Sequence, residues 1–185
     1  MADTVTKIAF WTIADFKEEE VWLREMAREG LHLLRMVVPC FYIFEKGEPR
    51  DVIYRLDFTN NAEGGDYARM LGEFGWENCG RCMGWIYWRR DADALANEAE
   101  GELFSDDQSR LDMVKKVVQT RMLPLLVIFF CCVLPQFIRA LDGEYIWGGG
   151  FFLGFFTVMF VIYVYLFIHC GGKLRRMKKE LEGRE

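Results

Sequence analysis

Two uncharged apolar runs near the C-terminus constrain this chain more than any other feature. The first is the 17-residue stretch Met122–Ile138, and the second is Tyr145–Cys170. A helix needs about 20 apolar residues to cross the hydrocarbon core of a bilayer, and a soluble core helix is rarely apolar on every face over such a length. The runs therefore predict a hairpin of two transmembrane helices, over residues 122–141 and 145–170. Pro124 falls in the first turn of the first span, where its missing N–H costs least, and Pro135 predicts a kink near the far end. Gly150 and Gly154 form a small-xxx-small pair that permits close helix contact, within the hairpin or between two copies of the chain.

Charge divides along the same boundary. Residues 1–120 carry 15 basic and 23 acidic side chains, whereas residues 121–185 carry 8 and 5. An acidic N-terminal region argues against nucleic acid as a partner, because phosphate binding needs a basic face. The basic remainder sits where anionic headgroups attract it. Arg110, Lys115, Lys116 and Arg121 precede the first span, and Lys173, Arg175, Arg176, Lys178 and Lys179 follow the second. The connecting loop holds Arg139 beside Asp142 and Glu144. The positive-inside rule then predicts a multi-pass protein of the cell membrane with both termini cytoplasmic and the loop outside, Tyr145 and Trp147 lying in the outer interfacial belt. The N-terminal residues are polar and present no secretory signal.

Residues 1–90 read as a soluble α+β domain built by duplication. A shift of 45 residues sets Ile8 on Ile53, Trp11 on Leu56, Trp22 on Tyr67, Arg24 on Arg69, Met26 on Leu71 and Gly30 on Gly75. A one-residue slip then sets Phe41 on Trp85 and Ile43 on Tyr87. Each half predicts strand–helix–strand–strand. In the first half these are Lys7–Ile13, a helix over 16–29 with Asp15 and Glu18 at capping-box spacing, and a hairpin from Leu31–Val38 and Cys40–Lys46. The helix stripe is read as Val21, Trp22, Leu23 and Met26. The second half repeats this with Asp51–Phe58, Gly65–Phe74, Trp76–Cys79 and Trp85–Arg89. Six strands and two helices predict a mostly antiparallel sheet with both helices on one face. Residues 91–105 read as a connector, 106–121 as a juxtamembrane amphipathic helix and 171–185 as a basic tail.

The run Trp22–His32, the segment Phe44–Asp57, the pair Gly75–Trp76 and Gly84–Arg89 resemble domain-of-unknown-function family 2812 over roughly residues 5–110. That resemblance implies a bacterial protein with C-terminal transmembrane helices, often encoded near regulators of the PadR type. It brings no activity, cofactor or catalytic residue with it. The doubled unit is also similar to the effector-binding domains of multidrug-sensing regulators, which hold ligands in a cleft between halves. That similarity is one of fold only, and fold does not fix function.

Little in the chain points to catalysis. Cys79-Gly-Arg-Cys82 has no second CxxC to complete a zinc site, and His32 and His169 lack the neighbours of a triad. The Glu18-Glu19-Glu20 run reads as charge complementing the helix dipole. No metal site, cofactor or enzyme activity is therefore expected. The aromatic surplus is more informative. Trp11, Trp22, Tyr42, Tyr54, Trp85 and Tyr87, with Arg55 and Asp57 as polar handles, are the candidate ligand- or partner-binding residues. Aromatics on both strand faces predict a sheet covered on its second face by a ligand, a partner or a second copy. The functional expectation is a membrane-anchored cytoplasmic sensor or regulatory interaction module that binds a small amphipathic ligand or a regulatory protein. The alternative is an oligomeric small membrane protein acting as a transporter subunit or envelope-stress protection factor.

Overall fold

The computed structural model describes residues 3–38, 40–58, 65–95, 101–103, 107–143 and 149–182. It divides into two compact units, Met1–Met113 and Val114–Glu185.

The first unit contains β1 (Thr4–Ile8), α1 (Phe16–Arg28), β2 (Leu31–Val37), β3 (Phe41–Lys46), β4 (Val52–Phe58), α2 (Gly65–Glu73), β5 (Glu77–Cys82) and β6 (Trp85–Asp91). The strands form two antiparallel three-stranded sheets, ordered β1-β3-β2 and β4-β6-β5, rather than the single sheet expected. Both halves thus share one topology, with the last strand in the centre. The duplication extends to irregularities. The register slips between Leu33 and Arg35 in β2 and between Asn78 and Gly80 in β5, so the two bulges lie 45 residues apart. Gly30 and Gly75 end their helices in the left-handed region, with φ of 82° and 80°. Only there is a residue without Cβ favoured.

The first strand departs from the reading. It ends at Ile8, because the Asp15 carboxylate accepts from both the Thr12 amide and its hydroxyl and curls residues 12–15 into a turn. Asp15 holds the cap position without capping the helix through its side chain. Cross-strand pairing sets Ile8 opposite Phe41 and Phe58 opposite Trp85. Ile8 therefore corresponds to Phe58, not Ile53, and Trp11 has no counterpart in Leu56.

The helices do not share a face. α1 lies between the two sheets, touching Tyr42 and Phe44 of the first through Trp22, and Trp85 of the second through Phe16. α2 covers the opposite face of the second sheet, where Ile53, Leu71, Trp76, Ile86 and Trp88 form a buried cluster. Leu95 and Leu103 pack against that cluster, so this part of the expected connector belongs to the core. The second sheet is covered on both faces by its own chain. The buried stripe of α1 is Phe16, Glu19, Leu23 and Ala27, and Val21 faces solvent.

Helices Ser109–Leu141 and Gly150–Glu180 are long and apolar enough to cross a membrane, and 17% and none of their apolar windows are buried. Helices this exposed are not the core of a soluble fold. The first comprises α3 (Asp107–Val117), α4 (Leu123–Ile128) and α5 (Leu134–Leu141), separated by π turns at Val118–Met122 and Phe129–Val133. Each π turn ends two residues before a proline, Pro124 or Pro135. Proline removes a helical N–H and crowds the carbonyl four residues back, and widening the preceding turn relieves that conflict. Pro124 is therefore interior to a continuous helix. α6 (Gly149–Glu182) runs past the expected end at residue 170. Phe129 joins the helices, with its ring 5.5 Å from Phe160, 5.6 Å from Tyr163 and 5.7 Å from Phe167. Gly150 and Gly154 face open space, so the hairpin does not pack through them. Tyr145 and Trp147 lie outside the described residues.

Candidate functional site

The expected cleft between the halves is filled, and what fills it is α1. Its buried residues recur at 16, 19, 23 and 27, which places the Glu19 carboxylate on the same stripe as Phe16, Leu23 and Ala27. Glu19 is 5% exposed. Its Oε1 accepts hydrogen bonds of 2.7 Å from the hydroxyls of Tyr42 and Tyr87, one from each sheet. The Tyr87 hydroxyl also lies 3.0 Å from Met36 Sδ. Burial pushes the Glu19 carboxyl above its ordinary range, and the two hydroxyls pull it partly back. The same burial, with the carboxylate alongside, raises both tyrosines.

Glu20 closes the neighbouring stretch of the seam. Its Oε1 accepts the Leu56 amide at 2.8 Å, satisfying a backbone donor on the open edge of β4. Its Oε2 lies 3.5 Å from Arg55 Nη1. Burial raises this carboxyl to about 8, although Arg55 and the Leu56 amide oppose the shift. One turn further along, Arg24 and Arg28 both grip Asp51. Arg24 bonds it at 2.6 and 2.7 Å and Arg28 at 3.2 and 2.8 Å, holding its carboxyl well below the usual range. One helix, α1, therefore carries three polar ties between the halves, Glu19 on its buried stripe and Glu20, Arg24 and Arg28 along a neighbouring row. The Glu18–Glu20 run is not merely a dipole complement, because two of its three side chains are seam residues. The legible signal was the i, i+3 relation of Glu19 to Phe16 and its i, i+4 relation to Leu23.

Of the candidate aromatics, Tyr42, Tyr54, Trp85 and Tyr87 are core residues, whereas Trp11 and Trp22 are half-buried. Trp11, Trp22 and Tyr42 form a file, with ring centroids 5.9 Å and then 5.0 Å apart. Tyr42 and Tyr87 meet at Glu19. Trp85 sits between Phe16 and Phe58, at 5.2 and 5.1 Å. Tyr54 is fully buried, its hydroxyl accepting the Leu33 amide at 3.3 Å. Arg55 is engaged with Glu20, Glu102 and the Tyr54 carbonyl, and Asp57 accepts from Tyr67. These two share a strand but not a site. Cys79 lies at the β5 bulge and donates to the Tyr87 carbonyl at 3.3 Å, and burial raises its thiol to about 12, which leaves it un-ionised. His32 is buried, with Nε2 2.9 Å from the Glu48 carbonyl.

Among the described residues of the first unit, two surfaces are suited to binding. One is a cavity of about 240 Å³ lined by His32, Arg50, Arg89 and Arg90 and by the carboxylates Glu77 and Asp91. The other is the outer face of the first sheet. Ile8, Phe41 and Val37 lie side by side across its three strands and are 63%, 39% and 40% exposed. Phe10 and Val38, just beyond the ends of β1 and β2, are exposed as well. β1 is the edge strand beside it. The Lys46 amide donates to the Asp3 carbonyl and the Ala9 amide to the Cys40 carbonyl, so odd-numbered residues of β1 face β3. The amides of Thr4, Thr6 and Ile8 consequently point away from the sheet.

This combination defines a class of protein: a duplicated α+β unit knit by one central helix, on a chain with two helices able to cross a membrane. The family model described as "Protein of unknown function (DUF2812)" matches residues 15–128, and the chain belongs to that family. Comparison with curated proteins and with solved structures finds no match.

Proposed function

We propose that the chain is a membrane-tethered interaction module of a regulatory kind, whose soluble unit captures a protein partner along β1 and the outer face of the first sheet. The observation that carries this reading is the exposed Ile8–Phe41–Val37 row beside an open strand edge. An unblunted edge is a template for another strand, and an apolar row next to it supplies pockets for alternate side chains of the added segment. The other sheet faces offer no such opportunity, since α1 covers the inner ones and α2 the far face of the second sheet. Photocrosslinking from position 41 of the full chain in native membranes tests the proposal. The expected result is a discrete adduct with a different polypeptide, lost in Ile8→Glu and weakened in Thr6→Pro, which removes an outward amide without touching the β3 ladder. Adducts only with itself, or adducts indifferent to both substitutions, would contradict it.

The arginine-lined cavity favours a second, small-molecule reading. Arg89 uses Nε on Glu77 at 3.0 Å, and Arg50 lies 3.7 Å from Asp91, beyond hydrogen-bond range. Both keep donors suited to an anion such as a carboxylate or phosphate rather than an amphipathic cation. Calorimetric titration with both ligand classes separates the alternatives, and heat from lipophilic cations alone would overturn the preference.

A further inference from the structure

Within the second unit a groove of about 420 Å³ opens between the first apolar helix and α6. Its walls change character along its length. Val118, Leu123, Leu126 and Phe167 line an apolar stretch, and Lys115, Arg175 and Lys178 line the other end. No carboxylate lines it among the described residues. Two local features hold it open. The π turn Val118–Met122 widens the first helix at the groove, and such turns recur at functional sites. Opposite it stands Gly171, where an added Cβ would meet nothing within 4 Å.

We infer that this groove binds one anionic phospholipid, with the phosphate held among Lys115, Arg175 and Lys178 and an acyl chain laid along the apolar wall. The inference rests on the reading that both helices lie in a membrane. Three cations around one anion are complementary, whereas a zwitterionic headgroup would bring its own ammonium into the same cluster. The apolar wall gives a free phosphate nothing to bury, and a neutral lipid brings no charge to complement the basic end. The volume falls within the roughly 300–1,000 Å³ of small-molecule sites.

The test uses the full chain purified from carbonate-washed membranes, exchanged into micelles holding equal phosphatidylglycerol and phosphatidylcholine, and read by native mass spectrometry. The expected result is one retained phosphatidylglycerol per chain, favoured by about tenfold or more over phosphatidylcholine. The variant with Lys115, Arg175 and Lys178 all changed to Gln loses the preference. Gly171→Leu, which keeps every charge and fills open space, loses the bound lipid. Millimolar inorganic phosphate does not displace it. Equal retention of both lipids by the native chain, retention unchanged in Gly171→Leu, or displacement by phosphate would overturn the inference. Release of the chain in the carbonate wash would instead refute the membrane reading, so the two failures are distinguishable.

Discussion

Glu19 and Glu20 are neighbours in sequence and meet burial by different means. Glu19 takes two hydroxyl donors, one from each half, and Glu20 takes a backbone amide and a distant guanidinium. Both carboxyls sit above the unfolded value of about 4.5, Glu20 at about 8. At Glu20 the folded state therefore holds a proton that the unfolded state has released between those limits. Stability contributed by a raised carboxyl is greatest below its unfolded value and falls as pH rises through the folded one, for Glu20 at roughly 1 kcal/mol per pH unit. Denaturation followed by tryptophan fluorescence should show a more stable first unit at pH 5 than at pH 8. Glu20→Gln should flatten that slope, and an unchanged slope would exclude Glu20 as its source. Asp51 works in the opposite sense, since its depressed carboxyl loses its contribution only as pH falls below about 4. Glu19→Gln keeps an acceptor for both tyrosines and should cost little. Glu19→Ala strands two buried hydroxyls and should cost about 2–4 kcal/mol in chemical denaturation. Tyr42 and Tyr87 were legible from sequence as special residues, but their partner was not. A glutamate in a first helical turn has a ready explanation in the dipole, and only its place among Phe16, Leu23 and Ala27 argues for burial.

At the scale of elements, the duplication was the most legible feature, and glycine the most dependable mark of it. Gly30 adopts φ of 82° with Gly47 O 2.6 Å from where a Cβ would stand. Gly30→Ala should therefore destabilise by about 2 kcal/mol or more, combining backbone strain with a clash against main chain. Gly72 lies in the last turn of α2 with nothing within 4 Å of an added Cβ, and Gly72→Ala should stabilise by about 0.5 kcal/mol. Thermal melts of the pair check both signs, and a shift in the same direction would contradict the placement of the helix ends. The first strand was less legible. Trp11 and Ile13 continue its apolar, β-rich character, and the side-chain bond from Asp15 to Thr12 that ends it is local chemistry which propensity does not weigh. The layer order was hidden for another reason. Alternation within strands reports which faces are apolar, but not whether a helix or a second sheet covers them.

For the whole molecule, the proposed tether and the lipid inference both require that Met122–Ile138 and Tyr145–Cys170 lie in lipid. Hydropathy and length made these helices plain in the sequence. The π turns and the groove were not, since they arise from where Pro124 and Gly171 fall on facing helices. Alkaline carbonate extraction of membranes carrying the full chain tests this most directly. Retention of the protein in the membrane pellet, with solubilisation only by detergent, is the predicted result. Its appearance in the carbonate supernatant would contradict the membrane tether and everything built on it.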